Sequence, residues 1–200
     1  MRALGLVGSP RRGGYTDTLV SAVLAGAEAA GARCERLYLS DVEIGFCRHC
    51  DYCREHGACV LGDDMDRLGE LFEAVDCLVL GAPTYYLELN ALTKAFIDRC
   101  YQFTRTEVDR EARRMKFVST VSRPKRGAFV GVSGSYGPEV FEKQVRIVRS
   151  CFRHLNTELI GTLLVPYTDW MPGDHSQPPL SEALAEARAL GHRLTEAAST

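Results

Sequence analysis

The chain has 200 residues, 46% hydrophobic and 25% charged, a composition that suits one globular domain with a sizeable buried core. A formal net charge of -2 supplies no global attraction to nucleic acid or to an anionic membrane surface, so neither is an expected partner. The opening apolar run meets a polar turn at Ser9-Pro-Arg-Arg12, too soon for a secretory or membrane-spanning segment, and the expected location is the cytoplasm.

Ala3 to Val7 is an apolar run closed by Gly8-Ser9-Pro10 and reads as a strand. From Thr16 onward Leu19, Val20, Val23, Leu24 and Ala27 recur at helical spacing, and Gly31 supplies a C-cap. Cys34 to Leu39 alternates as a second strand, and a cysteine-rich loop follows at 45–62. Asp63-Asp64-Met65-Asp66 offers an N-cap and an acidic first turn to a helix burying Leu68, Leu71, Phe72 and Val75. Cys77 to Pro83 is a near-continuous apolar strand of the kind buried on both faces of a parallel sheet.

Residues 89–101 form another helical pattern, and an irregular, strongly basic insertion occupies about 103–127. Ala128 to Val132 is a fourth strand, Glu139 to Leu155 a helix, Leu159 to Val165 a fifth strand, 166–179 irregular, and Leu180 to Ala198 a closing helix. Strands alternating with helices imply right-handed crossovers and a parallel sheet covered on both faces. The expected fold is an α/β, flavodoxin-like three-layer sandwich with a five-stranded parallel sheet in the order 2-1-3-4-5, formed by residues 1–200 as a single domain.

In that order, ligands bind where the chain reverses between strands one and three. The first loop, Gly8-Ser-Pro-Arg-Arg-Gly-Gly-Tyr-Thr-Asp-Thr18, runs into a helix N-terminus, where unpaired amides and the helix dipole favour an anion. Ser9, Thr16 and Thr18 offer hydroxyls, Arg11 offers charge, and Asp17 belongs to the same cofactor-binding loop. The loop is neither a P-loop nor a Gly-x-Gly-x-x-Gly fingerprint, which points to a terminal monophosphate; an ordinary capped turn with solvated arginines is the alternative. The second loop carries Pro83, Thr84, Tyr85, Tyr86 and Leu87, able to hold the edge of a flat heterocycle and shield its face, or else to pack on neighbouring elements. A third turn with Ser133, Gly134 and Tyr136 lies at the same sheet edge. A phosphate at loop one with ring contacts at loops two and three describes FMN.

Cys47, Cys50, Cys53 and Cys59 place four of eight cysteines within thirteen positions. In a reducing compartment, clustered cysteines point to metal or redox chemistry, whereas Cys34, Cys77, Cys100 and Cys151 sit in apolar or helical patterns as small core residues. Three cysteines spaced by three, with a fourth close behind, can wrap a 4Fe-4S cubane. A zinc site, with His49 or His56 able to replace a thiolate, and metal-free thiols remain as alternatives. The Asp63-Asp64 pair reads as a helix cap rather than a catalytic dyad, and no conventional catalytic acid–base pair is expected.

At Gly8-Ser-Pro-Arg-x-Gly-Gly-x-Thr16, Pro83-Thr-Tyr-Tyr86, Lys94-x-Phe-Ile-Asp-Arg99 and the Cys47-x-x-Cys50-x-x-Cys53 and Cys59 pattern, the chain resembles the iron-sulfur flavoprotein and NAD(P)H-dependent FMN reductase group. The resemblance covers residues 3 to about 137. It implies that Ser9, Arg11, Thr16 and Thr18 hold the FMN phosphate and that residues 83–87 border the isoalloxazine. It also implies a 4Fe-4S cluster on the four cysteines and a homodimer or homotetramer. Relatives often carry glycine just before the second cysteine, where this chain has His49. The expected activity is an FMN-dependent oxidoreductase in which cluster and flavin exchange electrons to reduce a small-molecule acceptor, with NAD(P)H or ferredoxin as donor. The competing readings are a cluster-free NAD(P)H-dependent FMN, quinone or nitro reductase, a non-enzymatic electron carrier, and a zinc-stapled ligand-binding module.

Overall fold

The computed structural model describes residues 1–169 and 180–196. The elements in chain order are β1 (Arg2–Val7), α1 (Tyr15–Ala29), β2 (Arg33–Tyr38), α2 (Tyr52–His56), α3 (Met65–Ala74), β3 (Cys77–Tyr85), β4 (Glu88–Leu89), α4 (Ala91–Arg99), β5 (Thr104–Asp109), β6 (Arg114–Ser119), β7 (Lys125–Val132), α5 (Phe141–His154), β8 (Thr157–Val165) and α6 (Leu180–Thr195). The main sheet runs β2-β1-β3-β7-β8 with every neighbouring pair parallel. Counting only these parallel strands gives the order expected from sequence, 2-1-3-4-5.

Alternation along the buried strands divides the core. Val79 and Val130 face α1 and α6, packing with Leu19, Val20, Val23, Leu190 and Leu194. Leu78, Leu80 and Phe129 face α3, α4 and α5, packing with Leu68, Phe72, Phe96, Val148 and Phe152. Two helical layers thus enclose one sheet, and strands buried on both faces account for the apolar run at Cys77 to Pro83. Gly31 ends α1 as expected: at φ +86° it lets its own N–H reach Glu28 O and that of Ala32 reach Ala27 O, the paired bonds of a Schellman motif. Cys77, Cys100 and Cys151 are buried and Cys34 is half-buried, all as free thiols. Burial pushes the Cys34 and Cys77 thiols up to about 11, so both behave as apolar residues at neutral pH.

The stretch 103–127 differs from its irregular reading. Strands β5 and β6 pair antiparallel as a two-stranded ribbon outside the main sheet. Its period-two alternation is hidden among the charges: Glu107 lies opposite Lys116 and Asp109 opposite Arg114 on one face, with Val108 opposite Met115 and Thr106 opposite Phe117 on the other. Arg114 and Lys116 thus stand opposite carboxylates across the ribbon. The short helix α2 was also absent from the sequence reading, and residues 197–198 of the expected last helix lie outside the described residues. No helix among the described residues is long and apolar enough to cross a membrane.

Lys125, at the start of β7, is only 4% exposed and donates from Nζ to Arg123 O at 2.6 Å. Desolvation lowers its pKa to about 8, against a weaker opposing pull from Glu73. Because the folded value lies below that of the unfolded chain, the burial penalty is complete below pH 8. It is relieved as pH rises through 8 towards 10.4, where the unfolded chain holds the proton that the folded one has shed. Lys125→Met is therefore expected to stabilise the protein by about 1–2 kcal/mol at pH 7, after loss of one hydrogen bond, with the gain shrinking by pH 10. Urea denaturation at both pH values checks this; a gain that grows with pH would oppose it.

Candidate functional site

The loops after β1, β3 and β7 leave the same edge of the sheet, on either side of the point where the strand order reverses. Gly14 is the N-cap of α1 and has no side chain with which to cap it. The first helical bond is from Thr18 N–H to Gly14 O at 2.9 Å, so the amides of Tyr15 to Asp17 have no acceptor within the helix. Ser9 and Thr16 are buried beside this turn, and Thr18 is half-buried. Among the described residues, Arg12 is paired with Asp41 and Arg36 with Asp17, while the exposed Arg11 guanidinium is in no ion pair. A buried hydroxyl pair, free amides and an uncommitted arginine fit a phosphate monoester.

Asp17 has a different setting from the hydroxyls. Its carboxylate is buried, accepts the Gly13 N–H at 2.7 Å and the Tyr38 hydroxyl at 3.1 Å, and pairs with Arg36 at 3.0 Å. These bonds hold Gly13 at φ +69°, which sets the turn ahead of α1.

The second loop is a tight hairpin. Thr84 pairs with Leu89 and Tyr85 with Glu88, leaving Tyr86 and Leu87 as a two-residue turn with φ +49° and +67°. Such turns favour Asn-Gly or Gly-Gly, and two bulky residues in left-handed conformation are costly. Strain of this kind concentrates at functional sites, and Tyr86 is 95% exposed at the mouth of the crevice. Pro83 is half-buried, Thr84 is buried, and Tyr85 and Leu87 are exposed. Gln144 from α5 donates through Nε2 to Thr84 Oγ1 at 3.0 Å.

Two further residues join the loops. Asn90 donates through Nδ2 to Gly8 O at 2.7 Å and accepts the Thr93 hydroxyl at 2.6 Å, while Gly8 N–H donates to Gly81 O at 2.8 Å. The start of α4 is thereby bonded to the start of the first loop. In sequence Asn90 falls inside the helical pattern over 89–101, and nothing there points to its partner eighty-two positions away. The third turn is built by Ser133, whose hydroxyl accepts the Tyr136 N–H at 3.2 Å, and it is joined to the loop after β8 by Thr168 N–H to Ser133 O and Asp169 N–H to Gly134 O.

On the flank after β2, all four clustered cysteines line one small pocket with His49 and Tyr101. The backbone turns back on itself through left-handed residues at His49, Asp51, Gly57 and Gly62, with φ of +50°, +58°, +71° and +56°. Cys47 and Cys50 are exposed, and Cys53 and Cys59 half-buried. The Cys53 thiol is pushed up first by burial and then by Cys59, Cys47 and Cys50, so the four sulfurs share one electrostatic neighbourhood. Among the described residues no three His, Cys, Asp or Glu side chains converge as ligands of one metal ion.

The left-handed φ at His49 accounts for the glycine that relatives often carry there, and His is among the side chains that tolerate this region best. His49→Gly is expected to leave the stability of segment 47–57 unchanged or improved, whereas His49→Val should destabilise it by about 1–2 kcal/mol. Amide exchange across the segment reads the difference, and equal protection in both variants would contradict it.

Asp64 holds the N-cap position of α3 but makes no capping bond with its side chain. Asp63 accepts the Met65 N–H at 3.2 Å and also the Gly45 N–H at 2.8 Å, and Asp64 accepts the Glu43 N–H at 2.7 Å. Burial raises the Asp63 pKa, but hydrogen bonds from Arg99, Gly45 and Met65 outweigh it and hold the carboxyl below its usual range.

With this geometry in place, the sequence profile of the NADPH-dependent FMN reductase family matches residues 1–162. The chain belongs to that family. It is 40% identical over 99 residues to an iron-sulfur flavoprotein of Archaeoglobus fulgidus, a match that covers 50% of this chain and 45% of the relative. The chain thus spans about half the length of the curated relatives it matches. An NAD(P)H:quinone oxidoreductase from Methanothermobacter marburgensis superposes with a TM-score of 0.70 at 17% identity, over 100% of this chain and 98% of the other. A flavodoxin from the domain Archaea superposes with a TM-score of 0.55 at 14% identity, over 97% of this chain and 96% of the other. Both likenesses are likenesses of fold, and the fold is flavodoxin-like.

Proposed function

We propose that this chain is a flavin-dependent oxidoreductase with FMN in the crevice and a 4Fe-4S cluster on Cys47, Cys50, Cys53 and Cys59, passing electrons between them to reduce a small-molecule acceptor. The observation that carries the reading is the position of α4: its first turn is bonded to the loop that begins the phosphate cradle, and its last residue reaches the cysteine segment. Nine residues of helix rise about 13 Å, so one rigid element spans the interval between the two sites. The names of the iron-sulfur flavoprotein relatives support the cluster.

In this reading Ser9, Arg11, Thr16, Thr18 and the free amides of α1 hold the phosphate, and Asp17 keeps the loop in shape. Pro83 through Leu87 border the ring, with Tyr86 free to cover its face, and Ser133, Gly134 and Tyr136 close the far side. A bound flavin exchanges one or two electrons and a cubane one, so the pair joins single-electron and hydride chemistry. The donor is NAD(P)H or ferredoxin. The exposed Tyr86 and Leu87 favour a homodimer or homotetramer, with a second copy covering the hairpin.

Anaerobic purification followed by absorption spectroscopy and iron, sulfide and flavin quantification tests the assignment. The expected result is roughly four iron and four sulfide per FMN. FMN without iron or sulfide would overturn the cluster and leave the second reading, a cluster-free NAD(P)H-dependent reductase, which the family's own description favours. Steady-state NAD(P)H oxidation with a quinone or nitro compound then separates an enzyme from a passive electron carrier.

A further inference from the structure

Arg99, the last residue of α4, is 2% exposed, a rare setting for a guanidinium. Its Nη1 donates to Gly45 O at 2.8 Å and to Asp63 Oδ2 at 2.5 Å, and its Nη2 donates to Asp63 Oδ1 at 2.9 Å, a two-pronged pairing. The same carboxylate accepts the Gly45 and Met65 amides. One buried ion pair therefore fastens residues 45 and 63 to each other and to α4, and between those two positions lie all four clustered cysteines. Buried pairs of this kind seldom repay their desolvation as stability alone, so their retention asks for another role.

We propose that Arg99 is a positioning residue for the cysteine site. With Asp63 it closes the base of the loop, so that the only freedom left to the segment lies in the turns that carry the sulfurs. The consequence for iron content rests on the cluster reading above; the closure of the loop does not. Lysine cannot replace it, because a single ammonium lacks the planar fork that reaches Gly45 and both oxygens of Asp63.

The test compares the full chain, purified anaerobically, with R99K and with the charge-neutral double variant R99Q/D63N, which retains amide hydrogen bonding should the unpaired single variants fail to fold. In the double variant, hydrogen exchange at the Gly45 and Met65 amides is expected to quicken at least tenfold and iron per FMN to fall, with FMN content unchanged. R99K should quicken exchange as well, because the ammonium cannot reach Gly45 and both oxygens of Asp63. Unchanged exchange in both variants overturns the positioning role. If the parent chain carries no iron, the cluster reading fails and amide exchange alone decides whether Arg99 closes the loop.

Discussion

Cys50→Ser is expected to remove iron and sulfide while sparing FMN. Cys50 is exposed, lies between two left-handed residues, His49 and Asp51, and lines one pocket with Cys47, Cys53 and Cys59. A cubane needs a thiolate on each iron, and serine supplies neither the softness nor the acidity of a thiol. Loss of a ligand should cost more than the roughly 10–100-fold that loss of an outer-shell partner costs. The fold should be indifferent: an exposed side chain without core contacts is worth about 0.5 kcal/mol or less on substitution. FMN should also stay, because the loops proposed to hold its phosphate and ring lie at the opposite end of α4. The reciprocal variant, Arg11→Ala, removes the first loop's cation that is in no ion pair among the described residues and is expected to weaken FMN by about 1.5–3 kcal/mol without altering iron content. Iron and flavin analysis of the two variants, side by side, reads both results. Iron retained in Cys50→Ser would refute the ligand assignment, whatever the fate of FMN.

The periodic parts of this molecule were legible in the sequence because local pattern and tertiary fate agree there. The apolar run at Cys77 to Pro83 becomes the central strand, the helical spacing of Leu19 to Ala27 becomes the face of α1 against the sheet, and Gly31 closes the helix. Where a residue's partner is remote, its role was hidden. Asn90 and Arg99 both fall within the helical pattern over 89–101, yet Asn90 bonds to Gly8 and Arg99 is buried; Asp63 reads as a helix cap but anchors Arg99 and Gly45. The β5–β6 ribbon is obscured in sequence for another reason: a high charge count masks a period-two alternation, although the alternation carries the geometric information. His49 shows the converse, a departure in sequence that the backbone explains, since a left-handed position selects for glycine and tolerates His.

Gly8→Ala is expected to destabilise the protein by on the order of 3–5 kcal/mol and to weaken FMN at the same time. A Cβ at this position would fall well inside contact distance of Thr93 Oγ1 and 2.9 Å from Gly81 O. Neither neighbour can give way cheaply: Thr93 is fully buried with its hydroxyl bonded to Asn90, and the Gly81 carbonyl belongs to the central strand and accepts the Gly8 N–H. The remaining relief is for α4 to move off β1, which breaks the Asn90 bond to Gly8 O and leaves two buried polar groups without partners. Overpacking and the orphaned groups each contribute about 1–3 kcal/mol. Urea denaturation and an FMN titration measure the two losses. Removing the obstructing hydroxyl with Thr93→Ala should recover only part of the stability, since the Gly81 contact remains and Asn90 loses a donor, and a double-mutant cycle should show favourable coupling between the two positions. Because the same rigid helix ends at Arg99, its displacement should also quicken amide exchange at Gly45; an FMN defect with Gly45 protection intact would mean that the two ends of α4 respond independently.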